Sequence, residues 1–397
     1  MERNRDQTAA TRMTARILII GAGIAGLTAG IALRQTGFDV TLFEQASVLS
    51  ETGAGLSLSQ ATLSVYRELR LAELIEAAAQ ITVDMAFLHF RTGALLAGRI
   101  DRGDGSGDAA GPLAARQIHR ADLQAILITG FLASGGTLSL GHRLEAIETP
   151  DHHPVAVFAN GARAGGDLLI GADGLKSRVR ALLWCEQDAR FTGQAAYRFL
   201  VPVEAGGQFL QFGRSAVFQG PGCVFNRYTI RGGALINCVG IVRTPAWLDD
   251  GWSIPATRDE MLAHYQGWHP DVTGLIQRAG TLNKWGLLDR PPLDRWSQGR
   301  ITLTGDAAHP MLPFLGLGAA MAIEDAMVLA RALAQTGDHS AFGRYEAARR
   351  PRTRLVQEKS AQQGQIVQNL DPDSFDPATA PSHDPAYYAY DPVTVPI

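Results

Sequence analysis

Residues 16–44 read Arg16-Ile-Leu-Ile-Ile-Gly21-Ala-Gly23-Ile-Ala-Gly26-Leu-Thr-Ala-Gly-Ile-Ala-Leu-Arg-Gln-Thr-Gly37-Phe-Asp-Val40-Thr-Leu-Phe-Glu44. An apolar strand-like run meets a G-x-G-x-x-G turn. A helical stretch, a second apolar run and then an acid follow. This order is the dinucleotide-binding fingerprint of a Rossmann-type βαβ unit. Gly21 permits the tight turn. Gly23 lets backbone N–H groups approach a pyrophosphate at a helix N-terminus, where the dipole favours anions. Gly26 lets helix and strand pack closely. Glu44, eighteen residues beyond Gly26, is placed to accept hydrogen bonds from a ribose diol. A carboxylate there repels a 2′-phosphate, which argues against NADP at this site. The apolar stretch 17–33 is short for a membrane span, and its four glycines already have their reason in the nucleotide turn.

The chain has 397 residues, enough for about two domains. At 46% apolar and 19% charged it has the make-up of an ordinary globular protein. A net charge of −3 points to neither nucleic acid nor an anionic membrane surface. Cys185, Cys223 and Cys238 lie far apart with no metal-ligating spacing. No metal site is expected, and the thiols are read as reduced in a cytoplasmic protein. Residues 1–15 read as a disordered tail without the apolar core of a signal peptide. Residues 101–112 read as a mobile loop by composition.

Further along, a helical pattern runs through Leu63, Tyr66, Leu69, Leu71 and Leu74, and residues 82–100 read as strands. A helix is expected to open at Arg120. Strands are expected at 146–148, 155–159 and 168–172. From Thr192 to Val242 apolar–polar alternation at Gln208–Phe212, Val224–Ile230 and Ala234–Val242 predicts a second, antiparallel sheet. A helix is expected over Pro255–Tyr265. Ala319–Ala334 and Phe342–Asn369 read as helices, the latter polar.

Two further strand-to-glycine-acid turns follow the fingerprint. One is Leu168-Leu-Ile-Gly-Ala-Asp173-Gly174, and the other is Ile301-Thr-Leu-Thr-Gly305-Asp306-Ala-Ala-His309-Pro310 with Gly316-Leu-Gly318-Ala319 behind it. Both place an acid at the carboxyl end of a strand, where open α/β sheets bind ligands. The three turns in this order, over residues 16–354, resemble the class A FAD-dependent aromatic monooxygenases of the para-hydroxybenzoate hydroxylase fold. Ala196-Tyr-Arg198, Arg231-Gly-Gly233, Gly267-Trp-His-Pro-Asp-Val272 and the Gly305–Pro310 turn make the chain most similar to salicylate, hydroxybenzoate and hydroxynicotinate hydroxylases.

That resemblance implies an α/β fold: a discontinuous Rossmann-type FAD-binding domain (16–80, 101–190, 286–340), an antiparallel substrate-binding sheet (81–100, 191–285), and a C-terminal helix and tail (341–397). It implies tightly bound FAD, NADH or NADPH docking transiently with NADH the expected donor, and O₂. The implied reaction is hydroxylation of a small phenolic, carboxylated or pyridine-type ring through a C4a-hydroperoxyflavin, with or without decarboxylation, by a monomer or homodimer. Gly21, Gly23, Gly26 and Glu44 would hold the ADP half of FAD. Arg120 would contact the ribityl or pyrophosphate region, Asp306 the ribityl hydroxyls, and the Gly318 and Ala319 N–H groups the flavin ring edge. Asp173 would serve FAD and NAD(P)H together. Tyr228, Asn226, Arg198, His309 and Pro310 are the candidate catalytic and substrate-contacting residues, with Arg198 placed to bind a carboxylate. His309 precedes a proline, so its part is equally one of loop shape.

The chain departs from the family in two places. Val224 stands where such enzymes often carry a histidine base four residues before the tyrosine. The segment Leu312–Leu317 is more apolar than usual. Two other readings stay open on these grounds: epoxidation or hydroxylation of a less polar natural-product intermediate, and a non-catalytic FAD-binding protein.

Overall fold

The computed structural model describes residues 15–49, 55–82, 84–100, 115–184, 189–245, 247, 253–369, 372–374 and 390–397. The expected N-terminal tail up to residue 14, the loop 101–112, Cys185 and most of the C-terminal tail lie outside the described residues.

Among the described residues the strands form four sheets. The strand Arg16–Ile20 lies inside a six-stranded sheet, buried on both faces from Ile17 onward. It pairs in parallel with Asp39–Phe43 on one side and Leu168–Gly171 on the other, with Ile17 opposite both Val40 and Leu168. Ile301–Leu303 and Thr137–Ser139 extend the sheet in parallel, and Ser297–Gln298 closes one edge antiparallel. These strands are continuous apolar runs because both faces are covered. Helix Ile24–Gln35 packs with the helices Gly318–Thr336 and Arg120–Ala133. A small antiparallel sheet (Leu144–Glu148, Val155–Phe158, Arg163–Gly165) contributes Phe158, whose ring lies 4.6 Å from that of Phe43. All three glycine-acid turns leave the carboxyl ends of adjacent strands, so the sheet order itself gathers them.

The larger sheet has eight strands in the order 254–255, 283–289, 190–202, 235–243, 223–230, 215–220, 86–89, 95–98. It is antiparallel except where Ser215–Gly220 runs parallel to Ala86–His89. Its two faces differ. One packs on the helices Arg258–His264 and Pro270–Gln277 through Phe225, Cys238, Tyr265 and Leu275. The other gathers Phe87, Ala196, Val217, Val224 and Ile241, and meets Leu312, Phe314 and Val367 from the C-terminal third of the chain. A second small sheet (Gly55–Leu58, Ala115–His119, Gln80–Thr82) lies at the junction, where the Gly55 N–H donates to Asn237 Oδ1 at 2.9 Å. The α/β class, the second sheet and the C-terminal helix agree with the sequence reading.

The C-terminal helix, Ala341–Val367, packs on Gly318–Thr336 through ions rather than apolar side chains alone. Arg349 lies 2.7 Å from both Glu324 and Asp325, and Arg352 forks onto Glu324 at 2.7 and 2.8 Å. Glu324, Asp325 and Arg349 are fully buried. The Tyr390 ring, from the returning tail, lies over both guanidinium groups at 4.8 and 4.4 Å.

Three local expectations are corrected. Gln208–Phe212 is not a strand: Gly207–Phe209 forms a 3-10 turn, because the Phe209 ring fills the space at Gly274 and stacks on Arg278 at 4.6 Å. The helix through Leu63–Leu74 is two helices, Gln60–Glu68 and Ala72–Ala78, broken at Arg70 with φ of 59°. The helix expected from Pro255 starts at Arg258, capped by Thr257 Oγ1, since Ile254–Pro255 pairs at the sheet edge. No helix among the described residues is long and apolar enough to cross a membrane.

Candidate active site

The fingerprint turn is built as the sequence demands. Gly21 has φ of 106°, and its N–H donates to Phe43 O at 2.7 Å, tying the turn to the second strand. A Cβ on Gly26 would fall 2.0 Å from Gly21 O. Helix Ile24–Gln35 starts behind Gly23 with no side-chain cap and no acid in its first turn, leaving its first N–H groups and positive dipole end for an anion. Glu44 is oriented by accepting from the Ala22 N–H at 2.9 Å and the Ala46 N–H at 3.0 Å. Each carboxylate oxygen still has a lone pair for a ribose hydroxyl. These residues fit the ADP half of FAD.

The second turn lies directly against the first, since a Cβ on Gly21 would meet Ala172 O at 2.4 Å. Its acid has local work. Asp173 accepts from Ser177 Oγ at 2.6 Å, Arg178 N at 2.6 Å and Val179 N at 3.1 Å, capping the helix Arg178–Trp184. Burial raises its carboxyl, against these bonds.

The third turn supplies Asp306. Its side chain is open to the cleft, yet the dense walls around it push the carboxyl above the usual range, against the pull of His309 and Arg120. Arg120, exposed at its helix start, lies within electrostatic reach of both Asp306 and Arg198. Helix Gly318–Thr336 begins after Gly316, at φ of 67°, and has no side-chain cap, so Gly318 and Ala319 present unclaimed N–H groups. His309 is not brought to this opening. Its buried ring lies tilted against Trp296 at 5.0 Å, and Nε2 lies 2.5 Å from Asp325 Oδ2. The same oxygen accepts from the Gly305 N–H at 3.1 Å. This geometry makes His309 a brace of the turn. Pro310 shares that part, its carbonyl accepting from Gln357 Nε2 at 2.7 Å.

Opposite these turns stands the polar part of the larger sheet. Alternation puts residues 224, 226 and 228 on the face of Phe87, Ala196 and Ile241. Register then aligns Asn283, Arg198, Val239, Asn226, Val217 and Phe87 in one row, with Leu200, Asn237, Tyr228 and Ser215 in the next. Arg198 Nε, Asn226 Oδ1, Asn237 Nδ2 and Ser215 Oγ are buried with no protein partner. Arg198 stacks on Trp285 at 4.8 Å, and burial lowers its pKa while Tyr228 pulls it up. Burial raises the Tyr228 hydroxyl well above its usual range, against Arg198, so it stays a phenol and a donor. Val224 neighbours Ile241 and Gln219, and no base stands at its place.

Sequence reasoning missed the residues that support this site. Asp325 and Arg349 brace His309, and Gln357 and Ser360 hold the carbonyls of Pro310 and Leu312. For Arg349, Gln357 and Ser360 the signal is a polar residue recurring every three or four positions along the last helix, which reads equally as a solvated face; Asp325 is an acid inside a largely apolar helix. Asn237 was legible as a lone amide inside an apolar strand. Among the described residues no group of His, Cys, Asp or Glu is arranged to hold a metal.

Comparison with known proteins bears on this geometry. A family model described as an FAD binding domain matches residues 14–360. A 3-amino-4-hydroxybenzoate 2-monooxygenase of Streptomyces platensis is 35% identical over 351 residues, 88% of this chain and 87% of that protein. A 6-hydroxynicotinate 3-monooxygenase of Pseudomonas fluorescens is 34% identical over 365 residues, covering 90% and 93%. The solved complex of a salicylate hydroxylase with its substrate superposes with a TM-score of 0.80 at 27% identity, covering 96% of each chain.

Proposed function

The chain belongs to the FAD binding domain family and is an FAD-dependent aromatic monooxygenase, and from this premise we propose that its substrate is a small aromatic or heteroaromatic acid whose carboxylate is taken by Arg198. One observation carries the choice. Arg198 has no ion-pair partner among the described residues, and its Nε is buried without an acceptor. A guanidinium in that position is costly until a planar anion completes it. The relatives act, by name, on hydroxybenzoate and hydroxynicotinate rings, which carry that anion.

FAD, when bound, takes electrons from NAD(P)H and activates O₂ for transfer of one oxygen to the ring. The chain's residues set the conditions. In this reading Gly21, Gly23, Gly26 and Glu44 hold the adenosine end, Arg120 and Asp306 the ribityl region, and the Gly318 and Ala319 N–H groups the ring edge. Asp173 acts by fixing the helix start beside them. Arg198 anchors the substrate, while Asn226 and the Tyr228 hydroxyl meet the polar edge of its ring. Tyr228 can donate to a phenolate oxygen but cannot take the proton of a phenol at neutral pH. With valine at 224, the substrate arrives ionised or carries an amino or pyridine nitrogen that activates the ring. Val217, Val224, Val239 and Phe314 keep water from the reacting region. The same apolar surface favours, as a second reading, a less polar ring. We place residues 81–100 and 191–285 in the substrate domain, and the protein in the cytoplasm as a monomer or homodimer. The free, buried Cys223 and Cys238 support that compartment.

Stopped-flow reduction of the flavin by NADH, across hydroxybenzoates, aminobenzoates and hydroxypyridines, tests the assignment. At least one carboxylated ring is expected to accelerate reduction manyfold and to gain one oxygen. Acceleration by uncharged rings alone favours the less polar substrate, and none by any compound favours a non-catalytic flavoprotein. Arg198→Met is expected to raise KM for the active acid roughly 10- to 100-fold, the weight of a charge-assisted hydrogen bond. It should leave the KM of the matching neutral phenol within about threefold. Equal losses for both compounds would refute the carboxylate role.

A further inference from the structure

The buried stripe of the C-terminal helix includes a glycine, Gly364, at a position where helix propensity favours any other residue but proline. The space at this position is filled from outside. A Cβ on Gly364 would lie 2.5 Å from Cε2, 2.6 Å from Cδ2 and 3.0 Å from Cζ of Phe314. The phenyl ring therefore rests on bare helix backbone.

The backbone leading into that ring is held by the same helix. Ser360 Oγ donates to Leu312 O at 2.5 Å, and Gln357 Nε2 donates to Pro310 O at 2.7 Å. On its other side Phe314 packs, with Leu312, against the cluster of Phe87, Ala196, Val217, Val224, Ile241 and Val367. Apart from Val367, which lies on the helix itself, that cluster belongs to the face carrying Arg198, Asn226 and Tyr228. Phe314 is thus a wall between the helix and the substrate face, and how far it stands out depends on how deeply the helix lets it sink.

We propose that Gly364 is a specificity-determining residue: by admitting the Phe314 ring into the helix, it sets the room available to the aromatic ring of the substrate. The inference rests on the reading of this face as the aromatic-acid site. A Cβ at 364 needs the ring to retreat by about 1 Å to reach ordinary van der Waals distance. Because Ser360 and Gln357 fix the neighbouring carbonyls, the ring moves rather than the loop, and it moves toward the substrate face.

The test uses the oxidised holoenzyme and two probes, 4-hydroxybenzoate and the bicyclic 6-hydroxy-2-naphthoate, titrated by their perturbation of the flavin absorbance. In Gly364→Ala the naphthoate is expected to bind at least tenfold more weakly relative to 4-hydroxybenzoate, with FAD content unchanged. Phe314→Leu alone should shift the ratio the other way, and Gly364→Ala/Phe314→Leu should return it to within about threefold of wild type. That rescue separates a volume effect from general damage to the helix. A wild type that binds both probes, with a ratio unmoved by Gly364→Ala, overturns the notch alone. A wild type that binds neither overturns the reading of the face, and the notch with it.

Discussion

Gly26→Ala is expected to purify without colour, its affinity for FAD reduced roughly a thousandfold or more. The added Cβ would lie 2.0 Å from Gly21 O, and no flexible side chain is available to yield. The turn itself has to move. Gly21 is fastened to Phe43 O, and the Leu27 N–H to Gly23 O at 3.0 Å, so a displacement at 26 is passed to the N–H groups proposed to meet the pyrophosphate. Hydrogen bonds to a charged group contribute about 1.5–3 kcal/mol each, and losing two amounts to about 4 kcal/mol, near a thousandfold in affinity. The ratio of visible flavin absorbance to protein absorbance after purification reads this directly, and quenching of FAD fluorescence on titration gives the affinity. Retention of stoichiometric flavin would show that the turn yields without cost.

Arg349→Met is expected to be the most destabilising single change in the core, at about 3–5 kcal/mol, because it strands buried charge. Both acids lose their common partner: among the described residues the one cation left to Asp325 is His309, and the one left to Glu324 is Arg352. For a chain of this length the loss corresponds to a fall in Tm of roughly 5 °C. Arg352→Met removes a cation that is slightly less buried and, among the described residues, is paired with one acid, so its effect is smaller. The same network predicts an acid limit. Burial alone would raise the Asp325 carboxyl, but His309 and Arg349 overcome it and hold the group at about 2, below its ordinary 3.8. A depressed folded-state value stabilises the protein above the unfolded value. The stabilisation, roughly 2 kcal/mol, is complete above pH 4 and is lost as pH falls through the window between about 4 and 2. Denaturant midpoints measured from pH 6 down to pH 3 should show this decline in wild type and not in Asp325→Asn, which starts lower. Parallel curves for the two proteins would remove Asp325 from the acid response.

Much of the cofactor side was legible in the sequence because its chemistry is local. Gly21, Gly23 and Gly26 lie within six residues, and a turn, a helix start and a strand end are read from neighbours in the chain. Glu44 and Asp306 needed only the strands that precede them. The substrate face was legible by period alone: two-residue alternation placed Asn226 with Tyr228. Their alignment with Arg198 is a matter of register between strands far apart in sequence, which no local pattern states. The brace of Asp325, His309 and Arg349 was missed for a related reason. A polar residue on a helix is a surface residue until its partner on another helix is known. Gln208–Phe212 failed differently, as its alternation is real but the ring of Phe209 had a better place at Gly274.

The strand order of the nucleotide sheet has a further consequence. Strands 16–20, 168–171 and 301–303 are neighbours in space, while most of the larger sheet is drawn from the chain between the last two. Neither body is complete until the chain past residue 303 is available, and each is threaded by segments of the other. During synthesis the N-terminal fingerprint therefore waits for its partner strand 168–171, and the sheet as a whole waits for 301–303, by which point most of the polypeptide has emerged. Many of the contacts that finish it join distant segments, a topology that folds slowly. Truncation cannot separate a flavin-binding half from a substrate-binding half: a fragment ending before Ile301 keeps the Gly21–Gly26 turn but has no Asp306 to place beside it.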